Sequence, residues 1–195
     1  MMTVLSQYIS ALLLTFSFLV LPMNVAHAQP QAEPLADAVQ EMESLDAMRS
    51  SLASTLEGTD EKPTLETFKE VCKPVGMRAK QLSQEKPWNV KQVAAKYRNP
   101  AHEPTTREAI ALEKFANNPE LFGFWETTPE ETFYYRRINV EASCLKCHGA
   151  KAERPDFVKE RYPQDKAYDF EVGDLRGMYR VLLPQVQQQI QAALK

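Results

Sequence analysis

Cys144-Leu145-Lys146-Cys147-His148 sets two thiols three positions apart, with an imidazole directly after the second. On a tight helical turn both sulfurs can reach the two vinyl groups of one porphyrin and form thioethers, and the adjacent ring nitrogen can bind the iron from below. This is the attachment pattern of haem c, one covalent group per chain. It makes Cys144 and Cys147 the anchors and His148 the proximal ligand. Two other chemistries draw on the same residue types. A thioredoxin-type C-x-x-C pair opens a helix after a buried strand in a βαβ unit, but Gly149 to Pro155 does not read as an amphipathic helix. A Cys3His zinc site would use Cys72, Cys144, Cys147 and His148, although the neighbours Cys147 and His148 are awkward ligands for one small tetrahedral ion.

With His148 on one face of the iron, the candidates for the other face are Cys72, His102, Met42, Met48, Met77 and Met178, or an open site. Thioether formation consumes both motif cysteines and leaves Cys72 single. Burial as a small hydrophobe and iron ligation account for it equally well. Arg98 and Arg176 are candidates to pair with a haem propionate, since a planar guanidinium suits a carboxylate. For Arg98-Asn99-Pro100 a strand-ending turn is the plainer reading. Asp165, Asp174 and Glu108 read as structural. No Ser-His-Asp or paired-carboxylate arrangement stands out, so the expectation is a binding protein and not an enzyme.

These residues need elements to position them. Leu35 to Leu56 repeats apolar residues at three- or four-residue steps and predicts a helix ending near Gly58. Pro63-Thr64 opens a second helix whose face carries Leu65, Phe68, Val71, Cys72, Val75 and Leu82, with a kink or opening expected at Pro74. Lys91 to Tyr97 reads as a strand. Thr105 to Phe115 reads as a helix anchored by Ile110, Leu112 and Phe115. Phe122 to Glu126 and Thr132 to Val140 read as strands joined at Pro129. A short helix over Pro155 to Arg161, a strand over Met178 to Leu183, and a terminal helix from Pro184 with Val186, Ile190 and Leu194 on one side complete the pattern. The expected class is α+β, an antiparallel sheet flanked by helices.

The chain has 195 residues, 44% hydrophobic and 25% charged, with a net charge of −3. These are globular values, and the absence of a basic excess argues against a nucleic-acid partner. Ile9 to Leu21 is almost wholly apolar and is followed by Ala26-His27-Ala28, a small-x-small cleavage pattern. Residues 1–28 therefore read as a signal peptide cut after Ala28. The alternative, an uncleaved anchor, has only about 13 apolar residues where a span needs roughly 20. The mature chain is expected in the periplasm without a stable membrane span. Haem attachment of this kind takes place outside the cytoplasm. The organisation predicted is a signal peptide (1–28), a helical segment (29–58), the main domain (59–184) and a C-terminal helix (185–195).

From about Val71 to Leu183 the chain resembles a family of exported single-haem c-type proteins with a PAS-like fold. The same domain serves as the sensory portion of some bacterial histidine kinases. The matching residues are Val71-Cys72, Arg98-Asn99-Pro100, Glu108, Leu112 and Phe115, Cys144 to Gly149, Tyr162-Pro163 with Asp165 and Ala167, and Gly173-Asp174-Leu175-Arg176-Gly177. The resemblance implies a PAS-like domain whose iron is held by His148 and Cys72. It also shows departures: His102 stands where the family more often has Asn, and Asp169 replaces a usual Gly. The function expected is redox or diatomic-gas sensing through a His/Cys-ligated iron. A plain electron carrier with a His/Met or His/His iron is the alternative, and a non-haem zinc or thiol module a more distant one. The expected partners are a redox protein or a small gas, and a second copy of the chain joined through the N-terminal helix.

Overall fold

The structure, a computed structural model, describes residues 32–194. The predicted signal peptide lies outside them. Helix α1 (Ala32–Ser54) is followed by α2 (Leu65–Glu85), β1 (Asn89–Val93), α3 (Thr106–Ala116), β2 (Gly123–Thr127) and β3 (Thr132–Asn139). Then come α4 (Leu145–His148), α5 (Asp156–Arg161), β4 (Leu175–Leu182) and α6 (Pro184–Ala193). The four strands form one antiparallel sheet in the order β1-β4-β3-β2. The chain is an α+β, PAS-like domain with an N-terminal helix. No helix among the described residues is long and apolar enough to cross a membrane.

Strand alternation divides the core into two. Tyr134, Ile138, Tyr179 and Val181 point to one face and are covered by α1, α2 and α6 through Met42, Leu45, Val75, Leu82 and Val186. Phe133, Tyr135, Met178 and Val93 point to the other face, under Ala111, Leu112 and Phe115 of α3. The apolar stripe of α1 is thus packed within its own chain. Thr64 and Thr105 cap α2 and α3 with reciprocal capping boxes, closed by Thr67 and Glu108.

Several expectations are corrected. β1 stops at Val93, because the Ala94 N–H turns away to the His102 carbonyl. The strand-ending turn expected at Arg98-Asn99-Pro100 is present, with Asn99 capping a short 3-10 turn over Pro100–His102. Ile110 is 63% exposed and Leu194 81% exposed, so neither anchors its helix. α2 continues through Pro74. Since Pro74 has no N–H, the Glu70 carbonyl lacks its usual helical donor one turn around Cys72. Asp169 has φ of 52°, a left-handed conformation that favours glycine. Its carboxylate accepts the Lys151 N–H at 2.9 Å and offsets the strain.

One irregularity in β4 determines what faces the site. Ile138 pairs with Gly177 and Asn139 with Leu175, so Arg176 is the extra residue of a β-bulge. Regular alternation would have put Arg176 on the α3 face with Met178. The bulge reverses the alternation: Leu175 packs into the α3 cluster, and Arg176 joins Ile138 on the opposite side.

Candidate functional site

β3 delivers the chain into a 3-10 turn, Ala142–Cys144, that runs directly into α4. Cys144, Cys147 and His148 therefore lie on one compact helical segment beside the sheet. Gly149 closes it by donating its N–H to the Leu145 carbonyl at 2.8 Å. A Cβ on Gly149 would lie 2.7 Å from that same oxygen, so only glycine fits directly after His148. The returning chain braces the segment: the Phe170 N–H donates to the His148 carbonyl at 3.2 Å and the Asp169 N–H to the Gly149 carbonyl at 2.7 Å.

His148 Nδ1 lies 2.8 Å from the Ala167 carbonyl oxygen. An acceptor at that distance places the proton on Nδ1 and leaves the Nε2 lone pair available to a metal. Burial pushes the imidazole well below its ordinary pKa, and the charges of Arg176 and Arg98 push it further. The ring is accordingly neutral at physiological pH. Asp165 organises the surroundings. It is buried, and it accepts Arg98 Nε at 3.2 Å, Arg154 Nη1 at 3.1 Å and the Ala167 N–H at 2.9 Å.

Cys144, Cys147 and His148 open onto a cavity of about 450 Å³ between the sheet and α1 and α2, within the range of roughly 300–1,000 Å³ usual for cofactor sites. Apolar walls come from Ala53, Leu56, Phe68, Val71, Val75 and Ile138. Cys72 is exposed, but what it is exposed to is this cavity. Protein atoms crowd its thiol enough that desolvation raises the pKa, against the lowering influence of Arg98 and Arg176. Burial likewise pushes Cys147 up to about 11.

Both candidate arginines line the cavity, in different circumstances. Arg98 is largely committed: its Nη2 donates to the Cys147 carbonyl at 2.7 Å and the Ala167 carbonyl at 3.3 Å, and its Nε pairs with Asp165. It clamps the end of α4 against the returning chain. Arg176 makes one hydrogen bond, from Nη1 to the Lys96 carbonyl at 3.2 Å, and no ion pair with a carboxylate among the described residues. Desolvation, reinforced by the charge of Arg98, lowers its guanidinium to about 10. It stays protonated at neutral pH and faces an apolar cavity without a counter-ion, a cradle that fits a bound carboxylate.

The remaining ligand candidates separate cleanly. Cys72, His102 and Met77 line the cavity. Met42 is buried in the core under α1 and Met178 in the cluster under α3, so neither faces it. Met48 is absent from the cavity wall. No group of three or more His, Cys, Asp or Glu side chains among the described residues converges on one metal ion, which removes the geometric basis for the zinc reading. The antiparallel sheet and the four-residue α4 differ from the βαβ setting of a thioredoxin pair. Arg49, Ser50 and Glu141 were not singled out from the sequence. Arg49 lines the cavity and contacts Glu141, about ninety residues away, so no local spacing signals the pair.

Among curated proteins none matches the chain. A solved structure described as the cyanobacterial heme-protein Tll0287 is similar to it at 56% identity and a TM-score of 0.73, covering 78% of this chain and 96% of that one. The Tll0287-like family profile matches residues 27–184, a span that takes in α1 and α2 flanking the cavity, the sheet and the C-x-x-C-H segment. The chain belongs to the Tll0287-like family.

Proposed function

We propose that the protein is an exported c-type haem protein that senses redox state or a small diatomic gas. The observation that carries this reading is the convergence of Cys144, Cys147, His148, Cys72 and the unpaired Arg176 on one apolar cavity. The 56% identical relative described as a heme-protein supports haem as the occupant, and the apolar leader with its Ala26-His27-Ala28 sequence supports export to the periplasm.

In this reading Cys144 and Cys147 are the thioether anchors and His148 Nε2 is the proximal ligand. Cys72 is the distal ligand, and Arg176, with the free end of Arg98, faces the propionates. The haem supplies a one-electron couple and, where a ligand position opens, a site for a gas. The chain does the rest. Ala167 holds the His148 ring in one tautomer, and burial keeps it neutral. The Cys72 thiolate favours the oxidised state by donating electron density. Cys72 sits next to the helical turn that Pro74 deprives of a hydrogen bond, so its release can be taken up locally by α2. α1 packs along α2 and carries that movement to a partner, either a redox protein or a second copy.

A plain electron carrier is the second reading. The observation that favours it is the placement of His102 and Met77 in the same cavity. Optical and EPR spectra of the exported protein decide between the two. In the sensor reading Cys72→Ala changes the spin state and removes a thiolate signature, while His102→Ala and Met77→Leu leave the spectrum intact. A spectrum indifferent to Cys72→Ala and altered by His102→Ala or Met77→Leu overturns Cys72 ligation and the sensor built on it.

A further inference from the structure

We propose that Arg49 of α1 is a positioning residue for covalent attachment at Cys144, so that α1 completes the attachment site. The inference rests on the attachment reading above. The Cys144 sulfur lies 3.8 Å from Arg49 Nη1 and 3.4 Å from the Glu141 backbone N–H. Two donors thus converge on one sulfur at the cavity wall, whereas no donor among the described residues reaches the sulfur of Cys147. Arg49 has little freedom to aim elsewhere. Its Nη2 donates to Glu141 Oε1 at 2.6 Å and its Nε to Asp46 Oδ1 at 2.7 Å. The second Asp46 oxygen takes Arg136 of β3 at 3.1 Å. Ser50 Oγ donates to the second Glu141 oxygen at 2.7 Å. The Arg49 side chain is 13% exposed, so its contacts are little screened by water.

The chemistry is an addition. The Cys144 S–H adds across a vinyl C=C: one vinyl carbon gains the C–S bond and the other gains the hydrogen. Nothing departs, and no external oxidant or reductant enters the balance. What the protein must supply is a sulfur held in one direction with its developing negative charge met by donors. Arg49 and the Glu141 N–H do this for Cys144 alone.

The test uses the full exported chain matured by haem-attachment machinery, in two backgrounds that each keep one motif thiol. In Cys147→Ala only Cys144 can attach, and Arg49→Gln should lower the covalent haem yield about tenfold, with Arg49→Lys in between. In Cys144→Ala only Cys147 can attach, and Arg49→Gln should change nothing. Glu41→Gln, which removes the 3.0 Å ion pair between α1 and Arg78 of α2 without touching the network around the sulfur, should leave both yields unchanged. Equal losses in both backgrounds would reduce Arg49 to a general docking residue, and no loss in either would remove its role. Both outcomes overturn the inference while leaving the haem reading intact. An unmutated chain without covalent haem would overturn the haem reading itself, and this inference with it.

Discussion

Gly177 passes so close to Val93 that a Cβ at this position would collide with the Val93 carbonyl oxygen. This contact joins β1 to β4 at the bulge that turns Arg176 toward the cavity. The prediction is that Gly177→Ala, forced to move one strand or the other and strained by its positive φ, destabilises the fold by about 2–3 kcal/mol. Arg176 should be displaced with it. Urea unfolding measures the first effect and haem retention the second. An unchanged midpoint would show that β4 has room the geometry denies.

Arg176 itself separates the fold from the site. Its charge is desolvated and has no carboxylate partner among the described residues, so Arg176→Leu should change the stability of the haem-free chain by no more than about 1 kcal/mol. With haem present, loss of a nearby positive charge should favour the oxidised state and lower the reduction potential by roughly 60 mV, about 1.4 kcal/mol for one electron. Potentiometric titration of both proteins checks this. A raised or unchanged potential would contradict a propionate-facing Arg176.

Asp165 carries the opposite expectation. Its carboxylate is fully enclosed and holds Arg98 and Arg154, so Asp165→Asn leaves two largely buried guanidinium groups without their charge partner. A loss of about 3 kcal/mol is expected. Because the Ala167 N–H also ends on Asp165, the Ala167 carbonyl that holds His148 should loosen. Thermal melts and the width of the haem EPR signal read the two consequences, and a variant as stable as the parent would sink the account of this network.

Helix capping and the two arginine-rich networks differ in how far local sequence spacing reveals them. Thr64 and Thr105 announce α2 and α3, because a capping residue and its partner are three positions apart. Cys144, Cys147 and His148 are legible for the same reason. Cys72 stands out as the single remaining thiol, but preferring ligation to burial needs the family resemblance, since its neighbours in the cavity lie on distant segments. The strand expected over Met178 to Leu183 leaves Gly177 and Arg176 outside it, and the reversal that carries Arg176 across the sheet depends on pairing with β3. The ion pairs of Arg49 with Glu141 and of Arg98 with Asp165 join residues far apart in sequence, and local periodicity is blind to them. Ile110 misleads for a related reason: α3 covers only one face of the sheet, so an apolar residue one step off that face is left in water.

Glu108 gives a pH dependence with a definite sign. Burial works to raise its pKa, but the Thr105 N–H, Lys91 and Arg180 outweigh it and hold the carboxyl below its ordinary value of 4.5. A depressed folded-state value means stability that is present above the unfolded value and is lost as pH falls through the folded one. Glu108→Gln should therefore cost about 1–3 kcal/mol at pH 7. The gap should hold down to about 4.5 and narrow on further acidification. Urea unfolding across a pH series measures it, and a gap that widens in acid would reverse the assignment.

The most direct test of the central claim is the intact mass, under denaturing conditions, of the protein purified after export alongside haem-attachment machinery. The account predicts the chain from Gln29 onward plus one haem that stays bound when the fold is gone. The mass of the bare polypeptide would contradict it.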